Sequence, residues 1–237
     1  MKWLGISAAA VVVALIGYGM AFPSATVRYR LTLEASVDGE PKIGSGVIEV
    51  TYGKNSQFIS TSLFSIDVRG EAVALDLGSR GVLFALLKED SDSRSGPEWI
   101  VLRAFHFPGG AMPSPVDKGL GDIRALSGKV ELPLTSLPLL VRFRDLDDPK
   151  SVERVDPSNI AKSFGQDARL VGATLEIVPS GALPLSLLGL TGEAITTGID
   201  ERLAWLRRLK GGYLDGAFAG GGPALSNILF GGNFKKG

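Results

Sequence analysis

The chain has 237 residues, with 25 Lys plus Arg against 25 Asp plus Glu, one histidine and no cysteine. A neutral chain with no run of five like charges has no field to draw it onto nucleic acid, and no strand combines basic residues with stacking aromatics. The missing cysteines exclude disulfides, thiolate chemistry, zinc ribbons and iron–sulfur sites, and a lone histidine excludes a two-histidine metal centre.

Residues 1–25 stand apart from the rest. After Lys2 no charge appears from Trp3 to Val27, and Ala8 to Ile16 form a compact apolar stretch like that of a signal peptide. Gly19-Met20-Ala21 places small residues where a signal peptidase inspects them, which allows cleavage before Phe22. The same stretch, Trp3 to Phe22, also suffices as a helix to cross about 30 Å of hydrocarbon, ending at Pro23. Signal peptide and membrane anchor both remain open, and either puts residues 26–237 outside the cytoplasmic membrane.

Those residues read as a single β-rich globular domain with a Gly-rich tail. "TVRYRLTLEASV" alternates Val27, Tyr29, Leu31 and Leu33 against Arg28, Arg30, Thr32 and Glu34, a half-buried strand. Asp38-Gly39 signals a hairpin, and "IGSGVIEVTYG" returns as its partner. Further strands are expected at "SQFISTSLF", "SIDVRGEAVALDLG", "GVLFALLKE", "EWIVLRAFHF", "GKVELPL", "LPLLVRFRDL" and "ARLVGATLEIV". The apolar content of "GVLFALLK" and "WIVLRAFHF" predicts central strands covered on both faces. Residues 91–98 and 108–122 read as loops.

Helices are expected late in the chain. Asp148-Pro149 and Asp156-Pro157 each pair an N-cap acceptor with proline at the first helical position, the second helix ending at Gly165. "TGIDERLAWLRRLKGG" has Thr197 as cap, an apolar stripe of Ile199, Leu203, Leu206 and Leu209, and Arg207, Arg208 and Lys210 at its end. Leu225, Ile228, Leu229 and Phe230 predict a short docked helix within the tail. The apolar stretch 181–192 reads as a core-lining connection, with an exposed patch for a membrane or partner as the other reading. The fold class expected is mainly β, an antiparallel sandwich or barrel-like sheet of eight or nine strands with two or three short helices near the C-terminal end.

Chemistry-bearing motifs are sparse. His106 could serve as a base, but no serine stands in a G-x-S-x-G elbow. "GDIRALSGKVE" lacks the spacing and the following helix of a phosphate-binding loop. Asp145, Asp147 and Asp148, followed by Glu153, form the densest carboxylate group and are the candidate ligands for a hard cation such as calcium; the competing reading is a solvated turn with Asp148 as a helix cap. A glycosidase-like pair of carboxylates is also compatible with so many acids, but the sequence does not choose them. No cofactor is expected.

Several phrases occur together: "YRLTLEASVDGEPKIGSGVIEV", "GEAVALDLGSRGVLFALL", "DDPKSVERVDPSNIAKSFG", "ARLVGATLEIV", and "TTGIDERLAWL" followed by "GYLDG". In this order they resemble a group of exported proteobacterial proteins of unassigned function. The resemblance implies an envelope location and a shared fold, carries no site residues, and leaves "GALPLSLLGL" as an addition. The absence of cysteine agrees, since a secreted eukaryotic domain of this size is expected to hold disulfides. The function expected is a non-enzymatic binding or structural module on the periplasmic side of the membrane, with an envelope protein or glycan as partner. The alternative is a carboxylate-dependent hydrolase acting on envelope glycan.

Overall fold

In a computed structural model of the chain, residues 23–55, 61–90, 95–181, 191–209, 212–216 and 224–237 are described. The first hairpin organises the rest. β1 (Ser24–Val37) and β2 (Glu40–Lys54) pair along their whole length, and Asp38 and Gly39 turn between them with φ of 53° and 83°. Positive φ at both central positions matches the twist of the flanking strands, which is why Asp-Gly works there.

The later strands are β3 (Phe64–Glu71), β4 (Val73–Asp76), β5 (Val82–Ala85), β6 (Lys129–Glu131), β7 (Leu140–Phe143), β8 (Val152–Arg154), β9 (Ala168–Val178) and β10 (Lys235–Lys236). They form two antiparallel sheets, one ordered β10-β3-β2-β1-β9-β6 and the other β4-β5-β7-β8. The protein is therefore mainly β, a sandwich-like pair of open sheets; neither closes into a barrel among the described residues.

The inner face of the larger sheet carries the buried set Val27, Tyr29, Leu31, Leu33, Ile48 and Val50. The smaller sheet crosses this face near the hairpin. A Cβ at Gly44 would lie 2.5 Å from the Ala74 carbonyl oxygen, so bare backbone permits the approach. β5 is buried throughout, Leu83 and Ala85 facing the larger sheet and Val82 and Phe84 a second cluster behind. Burial on both faces is what its unbroken apolar run requires.

Among the described residues there are four short α-helices: α1 (Pro97–Ala104), α2 (Val116–Arg124), α3 (Ala161–Phe164) and α4 (Ile199–Arg202). Two lie mid-chain, where strand and loop were expected. "EWIVLRAFHF" is chiefly α1: Pro97 occupies the first turn with Glu98, Arg103 the last, and Pro97, Ile100 and Val101 are buried at helical spacing. Residues 108–122 hold a 3-10 turn and most of α2, whose Leu120 and Ile123 enter the core.

The C-terminal helices also differ. "TGIDERLAWLRRLKGG" breaks at Leu203 (φ −121°, ψ 72°) into α4 and a 3-10 turn, Ala204–Arg208. Its cap is not Thr197: the buried Glu71 carboxylate accepts from the Ile199 amide at 2.7 Å. Asp148 does cap a 3-10 turn, accepting from Lys150 N at 2.9 Å, whereas Asp156 closes a turn on Ser158 four residues before Ile160 precedes α3. The tail docks as a 3-10 turn, Leu225–Asn227, with Leu229 and Phe234 fully buried behind the smaller sheet.

Of "SQFISTSLF", residues 56–60 lie outside the described residues and the strand begins at Phe64. The segments 1–22 and 182–190 also lie outside them. Among the described residues no helix is long and apolar enough to cross a membrane.

Candidate functional site on the outer face of the larger sheet

Strand alternation sends Arg28, Arg30, Thr32 and Glu34 of β1 to the outer face. Near the start of β1, these charges are matched. Arg28 and Glu49 form a buried pair at 2.6 Å, and Arg30 bridges Glu176 at 2.9 Å and also Glu193. Residues 191–198 run over this part: Thr196 N donates to Val47 O at 3.1 Å, and Arg28 donates to the Glu193 carbonyl.

Towards the hairpin the surface changes. Glu34 stands between Ile43 of β2 and Gly172 of β9, and Glu131 of β6 stands opposite Thr174. A cleft of about 730 Å³ opens here, lined by Glu34, Lys129, Glu131, Leu134, Val171 and Thr174 among others. Gly172 leaves open space above it, since a Cβ there would meet nothing within 4 Å. Neither Glu34 nor Glu131 has a cation within ion-pair distance among the described residues. Ile43 and Val171 are 68% and 61% exposed beside them, and the Thr174 hydroxyl oxygen is buried without a hydrogen-bond partner.

The backbone is also open at this margin. β6 pairs only with residues 174–176 of β9, the Leu132 amide adds one bond to Ala173 O, and Pro133 has no amide to continue. From Ala168 to Gly172, β9 has β1 on one side and, among the described residues, no strand on the other. A bulge at Val171 sets Glu34 opposite Gly172 but Ala35 opposite Leu170.

Two other clefts hold ion pairs of their own. One of about 670 Å³ holds Arg142, Glu153, Arg154 and Asp156; Glu153 is bound by Arg142 at 2.7 Å and Arg144 at 3.0 Å, and Arg154 pairs with Asp90. Hydrogen bonds from the Ser158 hydroxyl and amide hold the Asp156 carboxyl below its usual range. Another, about 380 Å³, is lined by Asp200, Arg207, Phe230 and Lys235. Lys235 bridges Glu71 at 3.0 Å and Asp200 at 3.5 Å; the Glu71 hydrogen bond raises the ammonium, and burial of Asp200 is outweighed by Lys235 and Arg207, which keep that carboxyl low.

No family model, curated protein or solved structure matches the chain.

His106 adopts φ 59° at the end of α1 and lines a cavity of about 240 Å³ with Arg103, Glu131 and Ser136. The Ser136 hydroxyl is 3.5 Å from Arg103 Nη2, and no described hydrogen bond joins it to His106. At the Asp145 turn, the Asp145 and Asp148 carboxylates accept from the Asp147 and Lys150 amides, and the Ser151 hydroxyl donates to the Asp145 and Asp148 carbonyls. Among the described residues no three His, Asp or Glu side chains are grouped to hold a metal ion. Glu34 and Glu131 escaped notice in the sequence because they are 97 residues apart in numbering; Glu34 was legible only as one more outward position of β1.

Proposed function

We propose that the chain is an exported envelope protein presenting a binding surface outside the cytoplasmic membrane, and that the outer-face cleft is that surface. The observation that carries the reading is the pair of carboxylates without ion pairs, Glu34 and Glu131, which line one cleft on either side of β9 with exposed Val171 and bare Gly172. At the start of β1, Arg28 and Arg30 are paired in place, whereas Glu34 and Glu131 are left without an ion pair. The charge-free run from Trp3 to Val27 supports export.

A second reading, a carboxylate-dependent hydrolase of envelope glycan, is favoured by the same pair. Glu34 and Glu131 flank β9 with a two-residue offset, about 12 Å apart at the backbone by strand spacing and rise. Both carboxylates line the one cleft, as the acid and base of an inverting glycosidase must.

The test has two parts. Expression in a bacterium, with intact masses taken from soluble periplasm and carbonate-washed membranes, places the chain; a full-length species confined to the cytosol overturns export. Purified protein is then incubated with peptidoglycan fragments and periplasmic extract beside a Glu34→Gln/Glu131→Gln variant. Selective, saturable retention lost in the variant supports binding. Bond cleavage lost in the variant supports the hydrolase, and identical behaviour of both proteins removes the cleft from either reading.

A further inference from the structure

We infer that the cavity between the end of α1 and β6 binds a small aliphatic α-amino acid, with Arg103 taking its carboxylate and Glu131 its ammonium group. Apart from Glu131 the site is separate from the outer-face cleft, and it goes beyond the reading above without resting on it.

The cavity, of about 240 Å³, is lined by side chains of both charges. Arg103 comes from the last turn of α1, Glu131 from β6 and Ser136 from the 3-10 turn Leu134–Ser136, with His106 exposed at the rim. Arg103 and Glu131 form no ion pair with each other or with any other described residue. The guanidinium has one described hydrogen bond, a long one of 3.5 Å to the Ser136 hydroxyl. Lys129, two residues before Glu131, lines the outer-face cleft and not this cavity. An acid and a base held apart in one small space are both satisfied by a ligand carrying both opposite charges. A ligand with a single charge leaves one of them without a counterpart.

The surroundings suit the same class. Gly110 makes room for Arg103, since a Cβ there would lie 2.3 Å from Arg103 Cγ. On β6, the Leu132 amide donates to Ala173 O and Gly128 O accepts from the Ile177 amide. Antiparallel alternation therefore turns the Glu131 amide away from β9. This amide and the Ser136 hydroxyl add donors for a carboxylate, while buried Ile100 and Leu132 supply an apolar wall for an aliphatic side chain. The volume falls below the roughly 300–1,000 Å³ of pockets for drug-sized ligands, which favours a free amino acid over a peptide.

The experiment is a calorimetric titration of the full chain, purified in mild detergent, with L-leucine and two analogues. One is 4-methylpentanoate, which lacks the ammonium group; the other is 3-methylbutylamine, which lacks the carboxylate. Saturable binding of L-leucine is expected, with each analogue at least about tenfold weaker. Arg103→Gln and Glu131→Gln are each expected to weaken L-leucine about tenfold, with melting temperatures measured beside them to separate lost binding from lost folding. Should either variant fail to fold, the comparison of the three ligands on the parent protein decides alone. An analogue bound as tightly as L-leucine overturns the need for both charges, and L-leucine binding unmoved by both substitutions overturns the site. No binding of L-leucine overturns the inference outright and leaves the outer-face cleft to the retention experiment above.

Discussion

Tyr29 and Tyr52 show what a single hydroxyl contributes. Both phenols are buried beneath the first turn of α1, Tyr29 donating to the Pro97 carbonyl at 3.1 Å and Tyr52 to that of Glu98 at 2.6 Å. Replacing either by Phe is expected to cost about 1 kcal/mol near neutral pH, read from urea unfolding. Burial, with the neighbouring Glu98 charge, raises both pKa values. The sign follows: below the ordinary value of about 10 both states keep the protons, and above it the unfolded chain ionises while the folded one does not. Stability therefore falls as pH rises beyond about 10, and the Tyr29→Phe/Tyr52→Phe variant is expected to lose less between about pH 9.5 and 11.5 than the parent. Parallel curves for the two proteins would sink the idea. Gly44 makes the complementary point about space. An alanine there meets the Ala74 carbonyl at 2.5 Å and Leu75 Cα at 2.7 Å, so Gly44→Ala is expected to cost about 1–3 kcal/mol by forcing the sheets apart. A variant as stable as the parent in urea would show that the crossing can slide.

At the scale of elements, legibility depended on whether local pattern and burial agreed. β1 and β9 read directly because one face of each is buried and alternation survives, and β5 because two-sided burial leaves a short, unbroken apolar run. α1 did not, since "WIVLRAF" suits a buried strand as well as a helix, and Gly96-Pro97-Glu98 was the signal that should have arbitrated. α4 was located but miscapped, because its acceptor is Glu71, distant in sequence and invisible to a capping rule built on neighbours. Glu71 also receives Lys235 at 3.0 Å and is nearly inaccessible. Glu71→Ala removes both partners and is expected to destabilise by about 3 kcal/mol, with Glu71→Gln, which keeps an acceptor for the Ile199 amide, costing less. Equal losses for the two variants would mean that the Lys235 pair, and not the cap, carries the effect.

For the whole molecule, closure depends on the chain's last residues. Phe234 lies 5.9 Å from Phe143 and 5.6 Å from Trp205, ring to ring, and Phe84 lies 5.8 Å from Phe143. This aromatic group covers the rear of the smaller sheet, while β10 pairs with β3 of the larger one, so the tail ties both sheets together. Phe234→Ala is expected to cost about 3–5 kcal/mol in chemical denaturation, as for a core aromatic. A loss below about 1 kcal/mol would show that the tail is only laid against the fold.

Composition and periodicity alone determined the absence of thiol and two-histidine chemistry, the apolar opening segment, the mainly β class and the long hairpin, because each follows from residue type or from spacing between near neighbours. The tertiary structure decided the helix over Pro97–Ala104, the Glu71 cap, the closure by Phe234 and the meeting of Glu34 with Glu131. The physical reason is common to all four. A helix–strand ambiguity, a remote cap and a cleft are resolved by what packs or pairs across the fold, and pairing β9 with β1 on one side and β6 on the other brings together residues that no local pattern relates.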